Sequence, residues 1–351
     1  VGCKIMQSKN ELSGITCAGN WIVDHVKILD CLPGRGMLAN IQSETPGTGG
    51  APFNVLMDLG RLGADFPLAG IGVVGEDAGR DFVLRNCAKF KIDCAGILAL
   101  PDVATSYTDV MTEGSTGDRV FYHCRGANAR FGPEHVPFES LSCRIFHLGY
   151  LLLLDALDAP DKEYGTVAAR LLSQVQALGI KTSVDVVSEE SDRFARIVPA
   201  ALPYTDYLIL NEIEAGRTVG LTVRRADGTL DGAALQASAG KLLSFGKMEL
   251  VVIHMPEGAY LQTRSGQRLA HGSLQLPADY IKSAVGAGDA FCAGMLYAIH
   301  EGWDYADGMR LGACAAAASL AHPGATDGML PLKETLKLAE RFGERPPPVD
   351  V

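Results

Sequence analysis

The stretch SAVGAGDAFCAG, Ser283–Gly294, sets two glycines and an aspartate ahead of a run that is apolar on nearly every side. Glycines leave backbone N–H groups unobstructed by Cβ atoms. A helix beginning at Asp289 would add its free N–H groups and the positive end of its dipole. Together these make a site for an anion, and phosphate is the usual one. The dipole contributes roughly 0.3–1 kcal/mol, up to about 2 kcal/mol when partly buried. Behind such a loop an aspartate has two uses. It can cap the helix. It can instead take a proton from a hydroxyl that attacks a phosphoryl group held by Gly286, Ala287 and Gly288. Positioning and charge stabilisation are what phosphoryl transfer asks of a protein. The pattern G-x-x-x-x-G-K-[ST] is absent, so the loop is not a P-loop.

The elements that must hold this loop follow from hydrophobic spacing. Gly14–Asp24 reads as a buried strand ending in an acid, and His25–Gly47 as an exposed hairpin. Gly49–Gly63 has apolar positions at Phe53, Leu56, Met57 and Leu59, which fits a helix with a glycine-rich lead-in. A strand (Phe66–Gly75) and a helix (Asp77–Phe90) follow. Thr105–Gly114 and Asp118–Cys124 form a second hairpin signal. From Ser142 onward strands alternate with helices, and two helices close the series at Asp289–Glu301 and Asp304–Ala321. The terminal ERPPPVDV is expected to fray. The alternation predicts an α/β fold, a Rossmann-like, mostly parallel central sheet with helices on both faces. Residues 1–351 read as a single domain. The two hairpins, at about 25–46 and 104–126, would form a small β lid over the carboxyl edge of the sheet, where ligands of open α/β sheets bind.

Composition narrows the classes of function. Hydrophobic residues make up 47% and charged residues 21%, enough for a large core. The net charge of −10, with no basic block, argues against nucleic acid as a partner. No apolar run reaches the roughly 18–20 residues that span a bilayer, and the first residues lack a signal-peptide core. The first residue is Val rather than Met, so a few residues are expected upstream. The nine scattered cysteines form no C-x-x-C pair and read as free buried thiols of a cytoplasmic protein. The histidines lack zinc spacing.

With Asp289 and these elements in order, the chain resembles the ribokinase-like (PfkB-type) carbohydrate kinases along nearly its whole length. That family carries D-T-x-G-A-G-D near its C-terminus. Here Gly286–Asp289 match it, while Ser283 and Ala284 stand where the family has Asp and Thr. The resemblance implies Asp289 as catalytic base and Gly286, Ala287 and Gly288 as the anion hole. It implies Asp24, Gly49, Gly50 and Asn54 against a sugar, and Arg125 reaching toward an acidic or polyhydroxy substrate. N-x-x-E at Asn211 and Glu214 implies contacts to Mg²⁺ and the phosphates, Glu214 acting on the metal through water; alone, that pattern usually marks a helix start. Gly258 and Gly324 would lie by the ATP nucleotide, and the loop His322–Pro331 by a monovalent cation such as K⁺. The implied function is ATP-dependent phosphorylation of a primary hydroxyl of a sugar or sugar acid. A nucleoside kinase shares the fold, and a non-catalytic sugar- or nucleotide-binding relative is the other class to separate. Exposed lid edges are liabilities unless paired, which suggests a homodimer through the lid.

Overall fold

The computed structural model describes residues 12–189 and 191–351. In chain order its elements begin with β1 (Ile15–Gly19), β2 (Ile22–Leu29), β3 (Ile41–Gly49), α1 (Ala51–Leu62), β4 (Leu68–Gly75), α2 (Ala78–Lys89), β5 (Asp93–Leu100), β6 (Ser106–Glu113) and β7 (Arg119–Cys124). The middle holds β8 (Ile145–Leu151), a short α3 (Asp155–Asp158), the paired dipeptides β9 (Pro160–Asp161) and β10 (Gly165–Thr166), α4 (Val167–Ala177), β11 (Lys181–Val186), α5 (Phe194–Ala201), β12 (Tyr207–Asn211), α6 (Glu212–Val219) and α7 (Gly232–Ser244). Last come β13 (Leu250–Met255), β14 (Gly258–Thr263), β15 (Arg268–Gly272), α8 (Ala287–Glu301), α9 (Tyr305–Leu320) and α10 (Leu332–Phe342).

The large sheet runs β15-β14-β13-β12-β11-β8-β1-β4-β5. From β13 to β5 neighbours are parallel, while β14 and β15 are antiparallel additions. Covered on both faces, the central strands must be apolar on both sides, which is why LVVIHM does not alternate. Phe53 and Leu56 of α1 join Leu296 of α8 and Leu311 of α9 in the core on one face. Leu171 of α4, Ile197 of α5 and Leu235 of α7 fill the other. From β1 the chain builds outward to β4 and β5 on one side and to β8 and β11–β13 on the other. Strand order therefore reverses between β1 and β8, the place where open α/β sheets receive ligands.

The two hairpins pair side by side in a second sheet, β3-β2-β6-β7, joined by the parallel pair β2–β6. The strand expected over Gly14–Asp24 is broken. Trp21 is fully buried, its indole N–H donating to Ile71 O at 2.9 Å. Its backbone N–H donates to Asn128 Oδ1 at 3.1 Å. The chain is thus pinned where it leaves one sheet for the other, and Asp24 is the third residue of β2 rather than a strand end. The terminal segment is docked, not frayed. Arg345 N donates to Ser273 O at 2.7 Å, and Gln236 Nε2 donates to Asp350 O at 2.7 Å. The eight described cysteines are free, five of them buried and Cys31 exposed. Cys3 lies outside the described residues. No helix among the described residues is long and apolar enough to cross a membrane.

Candidate active site

Helix α8 starts at Ala287, with Gly286 as its N-cap in the left-handed conformation, φ 78°. Asp289 is therefore inside the first turn and does not cap the helix. A Cβ on Gly286 would lie 2.3 Å from the carbonyl oxygen of Ala325, so space as well as conformation demands glycine. Ala290 N donates to Gly286 O at 2.8 Å, whereas Ala287 N reaches Ala284 O only at 3.4 Å. Among the described residues the Gly288 and Asp289 amides between them have no backbone acceptor, as a helix N-terminus leaves them.

The Asp289 carboxylate is held at both oxygens. Asn54 Nδ2, from α1, donates to Oδ2 at 2.8 Å. The Tyr150 hydroxyl, from the end of β8, donates to Oδ1 at 2.8 Å. Burial pushes the Asp289 carboxyl above its ordinary range, and these two bonds pull it back. Burial, with the Asp289 charge next, keeps the Tyr150 phenol well above its usual value and hence protonated. Asn54 Oδ1 is buried and has no hydrogen-bond partner among the described residues, an acceptor left for a ligand hydroxyl.

A polar cavity of about 190 Å³ opens beside Asp289, lined by Tyr150, Asp185, Ser188, Asn211, Glu214 and Gly288 among others. Asn211 and Glu214 form a capping box on α6: Glu214 N donates to Asn211 Oδ1 at 2.9 Å, and Asn211 N to Glu214 Oε2 at 3.0 Å. The helix-start reading of N-x-x-E is thus correct, and the same geometry presents the Glu214 carboxylate to the cavity. Burial lifts Glu214 to about 7, against the pull of Asn211 and Ser188. Burial likewise raises Asp185, helped by the charges of Glu214 and Asp289. Bringing more negative groups together than solvent can screen creates a demand for a cation.

Next to this lies a cavity of about 540 Å³ with mostly apolar walls, among them Ile213, Leu274, Ile281 and Phe291, together with Gly258 and Gly288. His254 lines both cavities. It packs against Phe291 with ring centroids 5.2 Å apart, and burial lowers it to about 4, so it is neutral. Gly324 is not in this wall. It borders the small cleft under the second sheet with Asp24, Thr48 and Arg119, because the late loop turns toward that sheet.

The second sheet leans on the loops before α8 and after α9. Thr48 Oγ1 and Thr326 Oγ1 are 3.1 Å apart, and Arg119 Nη1 donates to Ser283 Oγ at 2.8 Å. Burial raises Asp24 to about 7; the Thr108 hydroxyl opposes this and the Asp289 charge adds to it. Gly49 lets that carboxylate lie against the chain, since a Cβ there would stand 2.5 Å from Asp24 Oδ1. Gly50, φ 85°, caps α1. Arg125 departs from expectation. Its Nη1 donates to Asp155 Oδ1 at 2.8 Å and to Leu152 O at 3.1 Å, and Nη2 is 3.8 Å from Glu189. Two acids of its own chain already neutralise it.

Sequence patterns gave no sign of Asp185, Tyr150 or His254. Each lies near the carboxyl end of a parallel strand, β8, β11 or β13, and only strand order brings them together. Among the described residues no three His, Cys, Asp or Glu side chains cluster as a metal cage. Asp185 and Glu214 offer a pair of carboxylates, which suits Mg²⁺, a cation that keeps several waters and binds through one or two carboxylates plus phosphate.

A model of the pfkB family of carbohydrate kinases matches residues 13–332. The chain belongs to this family. Among curated relatives, it is 24% identical to 2-dehydro-3-deoxygluconokinase of Bacillus subtilis over 86% of this chain and 89% of the relative. It is 23% identical to 5-dehydro-2-deoxygluconokinase of Clostridium perfringens, over 82% of each. Among solved structures, a ribokinase II of E. coli in complex with ATP and Mg²⁺ superposes with a TM-score of 0.73 at 20% identity, covering 94% of this chain and 100% of that one. The ribokinase-like fold of this pfkB kinase is thereby established.

Proposed function

We propose that this kinase transfers the γ-phosphoryl group of ATP to a primary hydroxyl of a sugar or sugar acid, with Asp289 as general base. The observation that carries the reading is Asp289 held at both oxygens beside the free Gly288 and Asp289 amides, between an apolar and a polar cavity. The adenine takes the apolar cavity near Gly258. The polyphosphate runs past Gly288 toward the anion hole of Gly286, Ala287 and Gly288. Asp185 and Glu214, the latter through water, would hold Mg²⁺, which offsets phosphate charge when bound.

The sugar lies between Asp24 and Asn54, whose free Oδ1 accepts from a hydroxyl. Asp289 accepts the proton of the attacking hydroxyl as its oxygen bonds to the γ-phosphorus. The bond to the β-phosphate oxygen breaks and ADP leaves. Helix amides and the dipole are already aimed at the charge that develops, so little reorganisation is needed. The second sheet acts as a lid that closes over the sugar and excludes water, so that ATP is not hydrolysed. Its exposed Phe121 and Tyr122 on β7, with Met37 and Leu38 at the other hairpin, fit a homodimer joined through the lids.

Asp24, Asn54 and Gly49 suit neighbouring hydroxyls better than a flat base, so a five- or six-carbon sugar or keto-deoxy sugar acid is the expected acceptor. A sugar carboxylate must compete with Asp155 and Glu189 for Arg125. The deciding experiment is ADP release from Mg²⁺-ATP over a panel of pentoses, ketoses, 2-dehydro-3-deoxygluconate, adenosine and inosine, with and without K⁺. A nucleoside with the highest kcat/KM overturns the acceptor class. No turnover with any acceptor supports a binding protein on a kinase scaffold.

A further inference from the structure

We propose that Tyr150 is a positioning residue for the base, its hydroxyl and the Asn54 amide together fixing the Asp289 carboxylate toward the acceptor hydroxyl. This rests on the reading of Asp289 as general base.

The two donors come from different elements, α1 and β8, and bind one oxygen each. A carboxylate anchored at both oxygens cannot rotate about its Cβ–Cγ bond without breaking one contact. Tyr150 is itself held: its backbone N–H donates to Asn20 Oδ1, and Asn20 is fully buried. Both partners of Asp289 are neutral, and no Lys, Arg or His among the described residues lies within ion-pair distance of it. A cation would orient the carboxylate equally well but would suppress its basicity far more. Neutral donors orient it and leave it able to take a proton.

An ionised carboxylate has about four acceptor sites. Asn54 and Tyr150 take two, leaving acceptor capacity for a hydroxyl in the polar cavity that Asp289 and Tyr150 line together. An attacking hydroxyl must come within about 2.6–3.2 Å of the base, which brings it close to the phenol oxygen as well. A rotating carboxylate would meet that hydroxyl in the right geometry only part of the time, and such misplacement lowers the rate of the chemical step.

The test is Tyr150→Phe, which keeps the ring and removes only the hydroxyl. We expect kcat to fall about tenfold or more, the scale of one hydrogen bond to a charged group, with KM for ATP within about twofold of wild type. A packing role would not produce that split. The same change in an Asp289→Asn background should have no further effect on kcat, since the residue acts through the base. If the variant melts lower, single-turnover rates at saturating ATP and sugar below the transition give the same readout. A kcat within twofold of wild type, or an equal loss in both backgrounds, overturns the assignment. If Asp289→Asn alone keeps full turnover, the base reading itself fails, and that outcome is distinct from a silent Tyr150→Phe beside an inactive Asp289→Asn.

Discussion

Replacing Asp289 with Asn changes one oxygen to an amide nitrogen and almost nothing in shape. The remaining carbonyl oxygen can accept from Asn54 Nδ2, and the new amide can donate to the Tyr150 oxygen, so both 2.8 Å contacts have a replacement. General-base catalysis contributes roughly 10²–10⁴-fold, about 2.7–5.4 kcal/mol of barrier at 1.36 kcal/mol per tenfold. We therefore expect kcat to drop by two to four orders of magnitude, on the order of 10²–10⁴-fold. Stability should move the other way or not at all. Burial raises the Asp289 carboxyl, so its ionised form is disfavoured in the fold, and a neutral amide removes that penalty. ADP release at saturating ATP and sugar measures the first quantity, and a thermal melt the second. A variant with a kcat within tenfold of wild type and an unchanged melt would refute Asp289 as base.

Asp24→Ala should raise KM for the sugar sharply and leave KM for ATP near wild type; equal KM values for the sugar would remove Asp24 from the substrate site. Asp24→Asn tests its titration. With a folded value of about 7 and an unfolded value of roughly 3.9, the carboxyl contributes stability that is full below the unfolded value and lost as pH rises through 7. The melting temperature of Asp24→Asn relative to wild type should thus climb between pH 5 and pH 8, and a constant difference would contradict it. Glu214→Gln should raise the Mg²⁺ concentration giving half-maximal rate, since one carboxylate of the pair is gone; an unchanged Mg²⁺ titration would place the metal elsewhere. Sedimentation at micromolar concentration should return a dimer, and a monomer would leave the exposed apolar residues of the second sheet unexplained.

The parallel core and the glycine loop ahead of α8 were legible because each has a local signature: apolar runs for strands buried on both faces, and glycines ahead of an apolar helix. Other elements left weaker traces. β14 and β15 carry mixed polar and apolar residues at the sheet end, and α10 sits past the last motif. The break at Asn20–Trp21 was invisible because both halves are apolar and extended, and only the buried Trp21 decides where one sheet gives way to the other. In the site, Asp289 and Glu214 belonged to recognisable spacings. Asp185 and Tyr150 did not, since what qualifies them is strand order, which brings β8 and β11 side by side. The pairing of Arg125 was hidden for a related reason: its partners Asp155 and Glu189 are 30 and more positions away, beyond any local pattern.

The bond between Asn54 and Asp289 joins residues 235 positions apart. A ribosome adds roughly 5–20 residues per second, so α1 emerges on the order of ten seconds or more before α8. Through that interval α1, whose Leu56 and Leu59 side chains are fully buried in the finished protein, lacks one of the helices it packs against. The nascent chain therefore carries an uncovered apolar helix face for most of its synthesis, a natural binding surface for a chaperone. It also lacks Asp289, so on the proposed reading a partly made chain has no general base.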